Sequence, residues 1–194
     1  MQITRKLGDE HFWIRHLLDC LEQVAAAAGE HGQVDPEASS ELLYLFESFA
    51  DGQHQTKEEA ALFPGILDKA SPGEQEYLKK LLSDHVAERE HMERMRSQLD
   101  GAIYGEPLCV RDFVRAAGAY VELHRKHMAH ENTVLLPMVE RTLTPTDDAE
   151  ILEGFREIEL AGPDPTGIVE RIKSLCRRLD VPIARGPLDY EPGS

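Results

Sequence analysis

Apolar residues recur every three or four positions along almost the whole chain, which is the period of an amphipathic α-helix. Helix-start and helix-end signals divide this pattern into long segments. We predict four long helices, over residues 4–29, from Asp35-Pro36 to Pro64, from a capping box at Ser71 to about residue 100, and over residues 108–141. Long helices joined by short connections predict an all-α fold, an up-down-up-down four-helix bundle.

The pattern changes after residue 143. Two shorter helices are predicted there, with a break between them at Gly162-Pro163-Asp164-Pro165. We therefore expect a bundle over residues 1–143 and a C-terminal helical extension over residues 144–194. This extension either packs on the bundle or forms a homodimer through its helices.

The amino-acid composition limits the kinds of partner and the location that we expect for the protein. The chain has 194 residues, 41% of them apolar, and a formal charge of −15. Such an acidic chain repels phosphate backbones and anionic lipid, so we expect neither nucleic acid nor a membrane as a partner. No signal peptide or membrane-spanning run is visible, and the three cysteines are widely spaced. These features predict a cytoplasmic protein.

Polar residues on the apolar faces form an internal repeat. The stretch "HQTKEEAALFP" begins at His54 and reappears 73 residues later as "HMAHENTVLLP". Each copy places a glutamate four residues after the histidine and a proline ten residues after it. Lone histidines on the preceding helices repeat at nearly the same interval, at His11 and His85. We expect each proline to mark where its helix ends or bends.

Residues four apart on a helix point the same way, so a histidine and a glutamate at that spacing can reach one metal. Two such pairs supply two carboxylates, each able to bridge two metals, and four imidazoles cap the metals from outside. A single histidine on an apolar face is usually an ordinary core residue, but two copies in register are harder to explain that way. Mixed imidazole and carboxylate ligands without thiolate favour two irons over zinc or manganese.

These motifs, in this order, resemble the hemerythrin-like HHE cation-binding family over about residues 7–140. The resemblance implies a four-helix bundle around an oxo- or hydroxo-bridged di-iron centre. Carried over residue by residue, the metal ligands would be His11, His54, Glu58, His85, His127 and Glu131. In this set Glu58 and Glu131 would bridge the irons.

The sequence departs from what the resemblance implies for the oxygen-carrying members of this family. In their five-histidine pattern, the third helix carries a second histidine four residues after the first. Here that position is Arg89. His124 lies one turn before His127 and could be a fifth ligand, a proton relay or a hydrogen-bonding neighbour of a ligand; we favour the last. Tyr120 either donates a hydrogen bond near the metal or packs at the boundary.

Other polar residues near the motifs are expected to lie away from the centre. His91, six residues past His85, is another candidate for a fifth ligand or a hydrogen-bonding neighbour of a ligand. Because it lies about 240° round the helix from His85, we favour a position on the bundle flank. Glu59 is expected in solvent, and His16, His31 and His130 on the surface or in loops.

The ligand count and the resemblance leave several functions open. Four histidines and two bridging glutamates fill about eight of about twelve positions on two octahedral irons, so the site is open to small molecules. The first hypothesis is a protein that binds and senses or buffers O2, NO or peroxide. The second is a di-iron enzyme that decomposes hydrogen peroxide or reduces NO. Repair of iron centres under nitrosative stress and a purely structural bundle are further alternatives.

Overall fold

The chain folds into six helices, and the computed structural model describes residues 1–184. We label the helices α1 (Gln2–His31), α2 (36–67), α3 (Pro72–Ile103), α4 (107–142), α5 (Pro145–Ala161) and α6 (Pro165–Arg178). No strand occurs among these residues, which confirms the all-α prediction. Residues 185–194 of the predicted extension lie outside the described part of the chain.

The helix boundaries follow the expected sequence signals. Ser71 and Glu74 form the predicted capping box at the start of α3. The Asp35 side chain accepts a hydrogen bond from the Ala38 backbone N–H at the start of α2. These caps satisfy backbone N–H groups that have no partner within the helix. In residues 1–184, no helix is both long enough and apolar enough to cross a membrane.

The long helices pack side by side. Helix α3 lies along α4, α1 contacts both α4 and α2, and α2 also contacts α3. The buried apolar residues form two clusters, one around Leu18, Phe46 and Phe113, the other around Leu7, Leu62 and Leu135.

A set of buried polar residues, which we call the polar layer, lies between these clusters on every long helix. On α1, for example, His11 lies between Leu7 of one cluster and Ile14 of the other. The polar layer consists of His11, His54, Glu58, His85, His127 and Glu131.

The extension contributes to both clusters. Helix α5 places Ile151 and Phe155 in the cluster around Leu7, and α6 places Ile168 and Ile172 in the cluster around Leu18. The inner faces of α5 and α6 are therefore buried within the same chain. A domain boundary at residue 143 and a homodimer through the extension both stay predictions.

Of the two outcomes expected at the repeated prolines, an end or a bend of the helix, the end does not occur. Instead, α2 and α4 continue through Pro64 and Pro137 after a π-helical turn, Glu58–Leu62 in α2 and Glu131–Leu135 in α4. Proline has no N–H, and its ring clashes with the carbonyl four residues earlier. A wider turn just before the proline relieves that clash: the N–H of the preceding residue, Phe63 or Leu136, bonds the carbonyl five residues back, that of Glu58 or Glu131. Each π turn starts at the repeated glutamate.

A third π-helical segment, Phe46–Gln55, contains Gly52. A Cβ at Gly52 would lie 2.7 Å from the backbone oxygen of Glu47, and backbone cannot move aside as a side-chain tip can.

We expect Gly52→Ala to lower the free energy of unfolding by about 1–3 kcal/mol, since it forces a backbone shift. Gly118→Ala is the matched control, because a Cβ there meets nothing within 4 Å. Urea denaturation should show this control to be stabilised by about 0.5–1 kcal/mol. Equal effects at the two positions would contradict the steric argument.

Candidate metal centre

The structure brings the polar layer together as two groups that share their carboxylates. One group is His11, His54, Glu58 and Glu131, and the other is Glu58, His85, His127 and Glu131. Within each group, the potential ligand atoms all lie within 4.8 Å of one another, and every residue is buried. Glu58 and Glu131 belong to both groups, as bridging carboxylates between two metals would.

The inner Nε2 atoms of the four imidazoles converge on these carboxylates. The Nε2-to-oxygen distances are 3.2 Å from His11 and 2.8 Å from His127 to Glu131, and 3.4 Å from His85 and 4.0 Å from His54 to Glu58. The Nε2 atoms of His85 and His127 lie 3.0 Å apart. Nitrogen lone pairs and carboxylate oxygens therefore face a common space.

These inner atoms are poorly satisfied by the protein itself. Among residues 1–184, no carboxylate oxygen of Glu58 or Glu131 has a hydrogen-bond partner, nor do the Nε2 atoms of His11 and His54. A buried polar atom without a partner costs about 1–3 kcal/mol, and a cation would satisfy all of them at once. The donor set of imidazoles and carboxylates without thiolate suits iron. The residues present therefore fit a pair of metal ions.

The outer Nδ1 atoms of the imidazoles face oxygen acceptors. The Nδ1-to-oxygen distances are 2.7 Å from His11 to Asn132, 3.0 Å from His54 to Glu10 and 2.8 Å from His85 to Glu59. The Nδ1 atom of His127 lies 3.8 Å from Asp84, which is too far for a hydrogen bond. A hydrogen bond from Nδ1–H to an oxygen acceptor fixes the tautomer that leaves Nε2 free to bind metal. The sequence analysis identified none of the three acceptors as part of the site.

The expectation that Glu59 is solvated was wrong. Its Oε1 accepts hydrogen bonds from His85 Nδ1 at 2.8 Å and from Arg89 Nη2 at 2.6 Å. The Arg89 Nε also donates to Asp51 Oδ1 at 2.5 Å. Glu59 points about 100° away from Glu58, but that direction faces α3 rather than solvent. Arg89, at the position where a second histidine was expected, thus holds the acceptor of His85 in place.

A buried lysine supports His54 on the other side. Lys57 is 1% exposed, and its Nζ donates to Glu10 Oε1 and, at 2.7 Å, to Glu159 Oε1 of α5. The other oxygen of Glu10 accepts from His54 Nδ1. Burial raises the pKa of Glu10, but the hydrogen bond from His54 and the charge of Lys57 outweigh it and lower the pKa overall. Glu10 is therefore held as a charged acceptor.

His124 belongs to neither group. It is fully buried, and its Nδ1 lies 3.2 Å from Oε2 of Glu88. Burial and the nearby His127 hold the pKa of His124 well below its ordinary value. Tyr120 packs its ring edge-on against Phe46 and 5.3 Å from the His124 ring. The roles proposed for His124 and Tyr120 stay predictions.

Two further histidines lie where the sequence did and did not predict them. His91 lines a surface cavity with Arg94 and Asp112, away from the polar layer. His16 was expected on the surface or in a loop but is fully buried. Both of its ring nitrogens have partners there: Nδ1 lies 2.7 Å from the Phe12 carbonyl oxygen, and the Ala184 N–H donates to Nε2.

Steps of three and four residues from Phe113 through His127 and Glu131 predict that Val134 continues the buried face of the fourth helix, but Val134 is 44% exposed. The π turn that begins at Glu131 shifts the helix phase by almost one residue, so Leu135 takes the buried position instead.

Histidine protonation opposes metal binding in this layer. Burial lowers the pKa of His11, but Glu131 and Glu58 outweigh burial and raise it above the ordinary 6.5; the pKa of His127 is raised well above 6.5 for similar reasons. Without metal, these histidines stabilise the fold fully below pH 6.5, and that stability is lost as the pH rises through the raised pKa values. Metal needs neutral imidazole, so its affinity rises over the same range.

We therefore expect the difference in melting temperature between metal-loaded and chelator-treated protein to widen from about pH 6 to about pH 9. Melting curves of both forms in matched buffers measure this difference. A constant difference across the range would contradict the proposed competition between protons and metal.

Asn132→Ala tests the outer acceptors. Loss of the Asn132 oxygen leaves His11 Nδ1 without its acceptor, so we expect metal affinity to fall about 10–100-fold. Thr133→Ala is the matched control, since Thr133 is the exposed neighbour and, within residues 1–184, its hydroxyl bonds only the Ala129 carbonyl. Isothermal titration calorimetry with metal measures the affinity of both variants. Equal affinities would show that Asn132 does not orient the ring.

Comparison with known proteins agrees with this geometry. The model of the family described as "Hemerythrin HHE cation binding domain" matches residues 2–139. No curated protein and no solved structure matches the chain at the threshold applied. The matched region contains every residue of the polar layer and stops before α5.

Proposed function

Because the chain belongs to the hemerythrin HHE cation-binding family, we propose that its polar layer binds two iron ions and that the protein binds and senses or buffers O2, NO or peroxide there. We also propose that α1 to α4 form an up-down-up-down four-helix bundle around this centre. The order of the helices and the packing of α1 on α2 and α4, and of α3 on α2 and α4, support that topology.

One observation carries the proposal: the two groups of potential ligands share Glu58 and Glu131. Two metals bridged by two carboxylates explain why both glutamates are fully buried without hydrogen-bond partners in the described chain. When bound, iron supplies open coordination positions and redox chemistry to small molecules. The chain itself supplies the outer acceptors that hold three of the four imidazoles, and the two apolar clusters that exclude water on either side.

A specific observation favours a second candidate, a di-iron enzyme that decomposes hydrogen peroxide or reduces NO. Arg89 stands where a fifth imidazole was expected, and its guanidinium is engaged by Asp51 and Glu59. Four imidazoles leave more positions open to a reacting molecule than five do. We further propose a cytoplasmic location. It is supported by three free cysteines, of which Cys20 and Cys176 have Sγ atoms 3.6 Å apart.

The decisive experiment is metal analysis followed by spectroscopy. Protein expressed with iron should contain about two irons per chain, as in carboxylate-bridged bundle sites. Spectra of the reduced protein are then recorded after separate additions of O2, NO and hydrogen peroxide. A stable new absorption band supports binding or sensing, and sustained loss of substrate supports the enzyme.

Two variants make the test specific. His54→Ala removes a ligand from one group and should lower the iron content and weaken the spectral response, whereas the exposed His31→Ala should change neither. Well under one metal per chain in the wild type would overturn both candidate functions.

A further inference from the structure

A cavity of about 230 Å³ lies beside the polar layer, between α2, α3 and α4. Its walls include Gln55 from α2, Glu88 and Met92 from α3, and Tyr120 from α4. Gln55 directly follows His54, and Oε2 of Glu88 lies 3.2 Å from His124 Nδ1. The cavity wall therefore includes a sequence neighbour of one candidate ligand and a contact of His124, whose ring lies 6.0 Å from that of His127.

The cavity walls contain hydrogen-bond acceptors that the protein leaves unused. Glu88 is 1% exposed and Gln55 is 2% exposed, and the Oε1 atom of each has no hydrogen-bond partner in residues 1–184. Their other ends are fixed, because Gln55 Nε2 donates to Glu88 Oε2 at 2.5 Å. Buried acceptors of this kind are costly unless a donor occupies the space. The cavity is therefore suited to a molecule that donates hydrogen bonds.

The charges around the cavity argue against an anion. Arg89 and Arg96 lie at the cavity wall, but Arg89 is paired with Asp51 and Glu59, and Arg96 with Glu47 at 2.7 Å. Their positive charge is thus largely neutralised.

The protonation of Glu88 also argues against an anionic ligand. Burial is the main cause that raises the pKa of Glu88 to about 7. This carboxyl can therefore accept or donate a hydrogen bond near neutral pH, but it disfavours a negative ligand. A small neutral molecule with both donors and acceptors fits these walls.

We propose that this cavity binds small neutral hydroxyl donors, and that among the three candidate ligands of the centre it selects hydrogen peroxide. Hydrogen peroxide has two O–H donors for the free oxygens of Glu88 and Gln55 and two oxygens that can accept from Tyr120. Neither O2 nor NO has a hydrogen to donate, so neither satisfies those oxygens. The selection of peroxide for the centre rests on the proposed function; binding in the cavity does not.

The binding step is tested on the metal-free protein, in which the centre cannot consume the ligand. The probe is hydrogen peroxide, added in increments while the side-chain amide signals of ¹⁵N-labelled Gln55 are recorded by NMR. We expect a saturable shift in the wild type and at least about tenfold weaker binding in Glu88→Met, which keeps the side-chain length but removes the acceptor. Tyr120→Phe, which loses only its hydroxyl, is a second variant that keeps the packing of the ring.

Glu90→Met is the matched control, since Glu90 lies on the exposed outer face of the same helix and should leave the shift unchanged. A wild-type signal that does not saturate would overturn the proposal, because the cavity would then hold only water. So would equal binding by Glu88→Met and the wild type.

The selection step is tested on iron-loaded protein by stopped-flow kinetics with each small molecule. We expect Glu88→Met to lower the rate constant for hydrogen peroxide about tenfold, and to leave those for NO and O2 within about twofold. An equal loss for all three would overturn the selectivity. If the wild type binds no iron, the proposed function fails, but the NMR titration still decides whether the cavity binds peroxide.

Discussion

Replacement of Glu131 by alanine is expected to abolish metal binding in both groups of the polar layer at once. Glu131 is fully buried, and its two oxygens lie 3.2 Å from His11 Nε2 and 2.8 Å from His127 Nε2. These histidines belong to different groups, so the loss of one carboxylate removes a ligand from each. Loss of even an outer partner of a ligand costs about 10–100-fold in affinity, and loss of a shared ligand should cost more.

Metal content per chain measures this effect. His11→Ala removes a ligand from one group only and should retain the metal of the other group better than Glu131→Ala does. Glu131→Gln, which keeps the shape of the side chain, separates loss of charge from loss of volume. Glu122→Ala is the control, since Glu122 lies exposed on the same helix and pairs only with Lys126 among the described residues. One tightly held metal per chain in Glu131→Ala would show that the carboxylate is not shared.

Lys57→Met is expected to destabilise the metal-free protein by about 3–5 kcal/mol. Lys57 is 1% exposed, and its ammonium contacts the carboxylates of Glu10 and Glu159. Methionine fills a similar volume, but it leaves Glu10 buried with a negative charge and without its cation. Removal of one partner of a buried ion pair is more costly than removal of both, because the remaining charge has been taken out of water.

Urea denaturation in the presence of a chelator measures the cost. The double variant Lys57→Met with Glu10→Gln should be more stable than Lys57→Met alone, since glutamine keeps an oxygen for His54 without the charge. Lys79→Met is the surface control, because Lys79 is 70% exposed and, in the described part of the chain, pairs only with Glu76, which is 77% exposed. This control should change stability by less than about 0.5 kcal/mol. A double variant as unstable as the single one would exclude the charge as the cause.

The part of the site that follows from spacing along one helix could be predicted. His54 and Glu58, like His127 and Glu131, are four residues apart, and helix geometry alone places each pair on one face. The repeat then related the two pairs, and the family membership that it suggested is confirmed over residues 2–139. The helix order followed from caps and breaks that act locally, such as the Ser71 capping box.

The part that depends on contacts between helices could not be predicted. Lys57 lies between two candidate ligands in the sequence, and nothing in the periodicity distinguishes a buried lysine from a solvated one. Its partners Glu10 and Glu159 are 47 and 102 residues away. Glu59 was misjudged for the same reason, since its partners His85 and Arg89 lie on another helix.

Local geometry also misled where it departed from a regular α-helix. The buried face of α4 was extrapolated at 3.6 residues per turn, which placed Val134 inside. The π turn at Glu131–Leu135 breaks that extrapolation. The prolines that cause the turn were visible in the sequence, but whether a helix stops, bends or widens before a proline depends on the packing that follows.

The two shared carboxylates also determine how the halves of the chain are joined. In each group both imidazoles come from one half, either α1 and α2 or α3 and α4, whereas the carboxylates come from both halves. Neither repeat can therefore complete a coordination group alone. A bound pair of cations would act as a reversible cross-link at the middle of the molecule, comparable to a disulfide between two lobes. Chelation would remove that cross-link and leave the apolar packing of α1 on α4 and of α2 on α3 to hold the halves together.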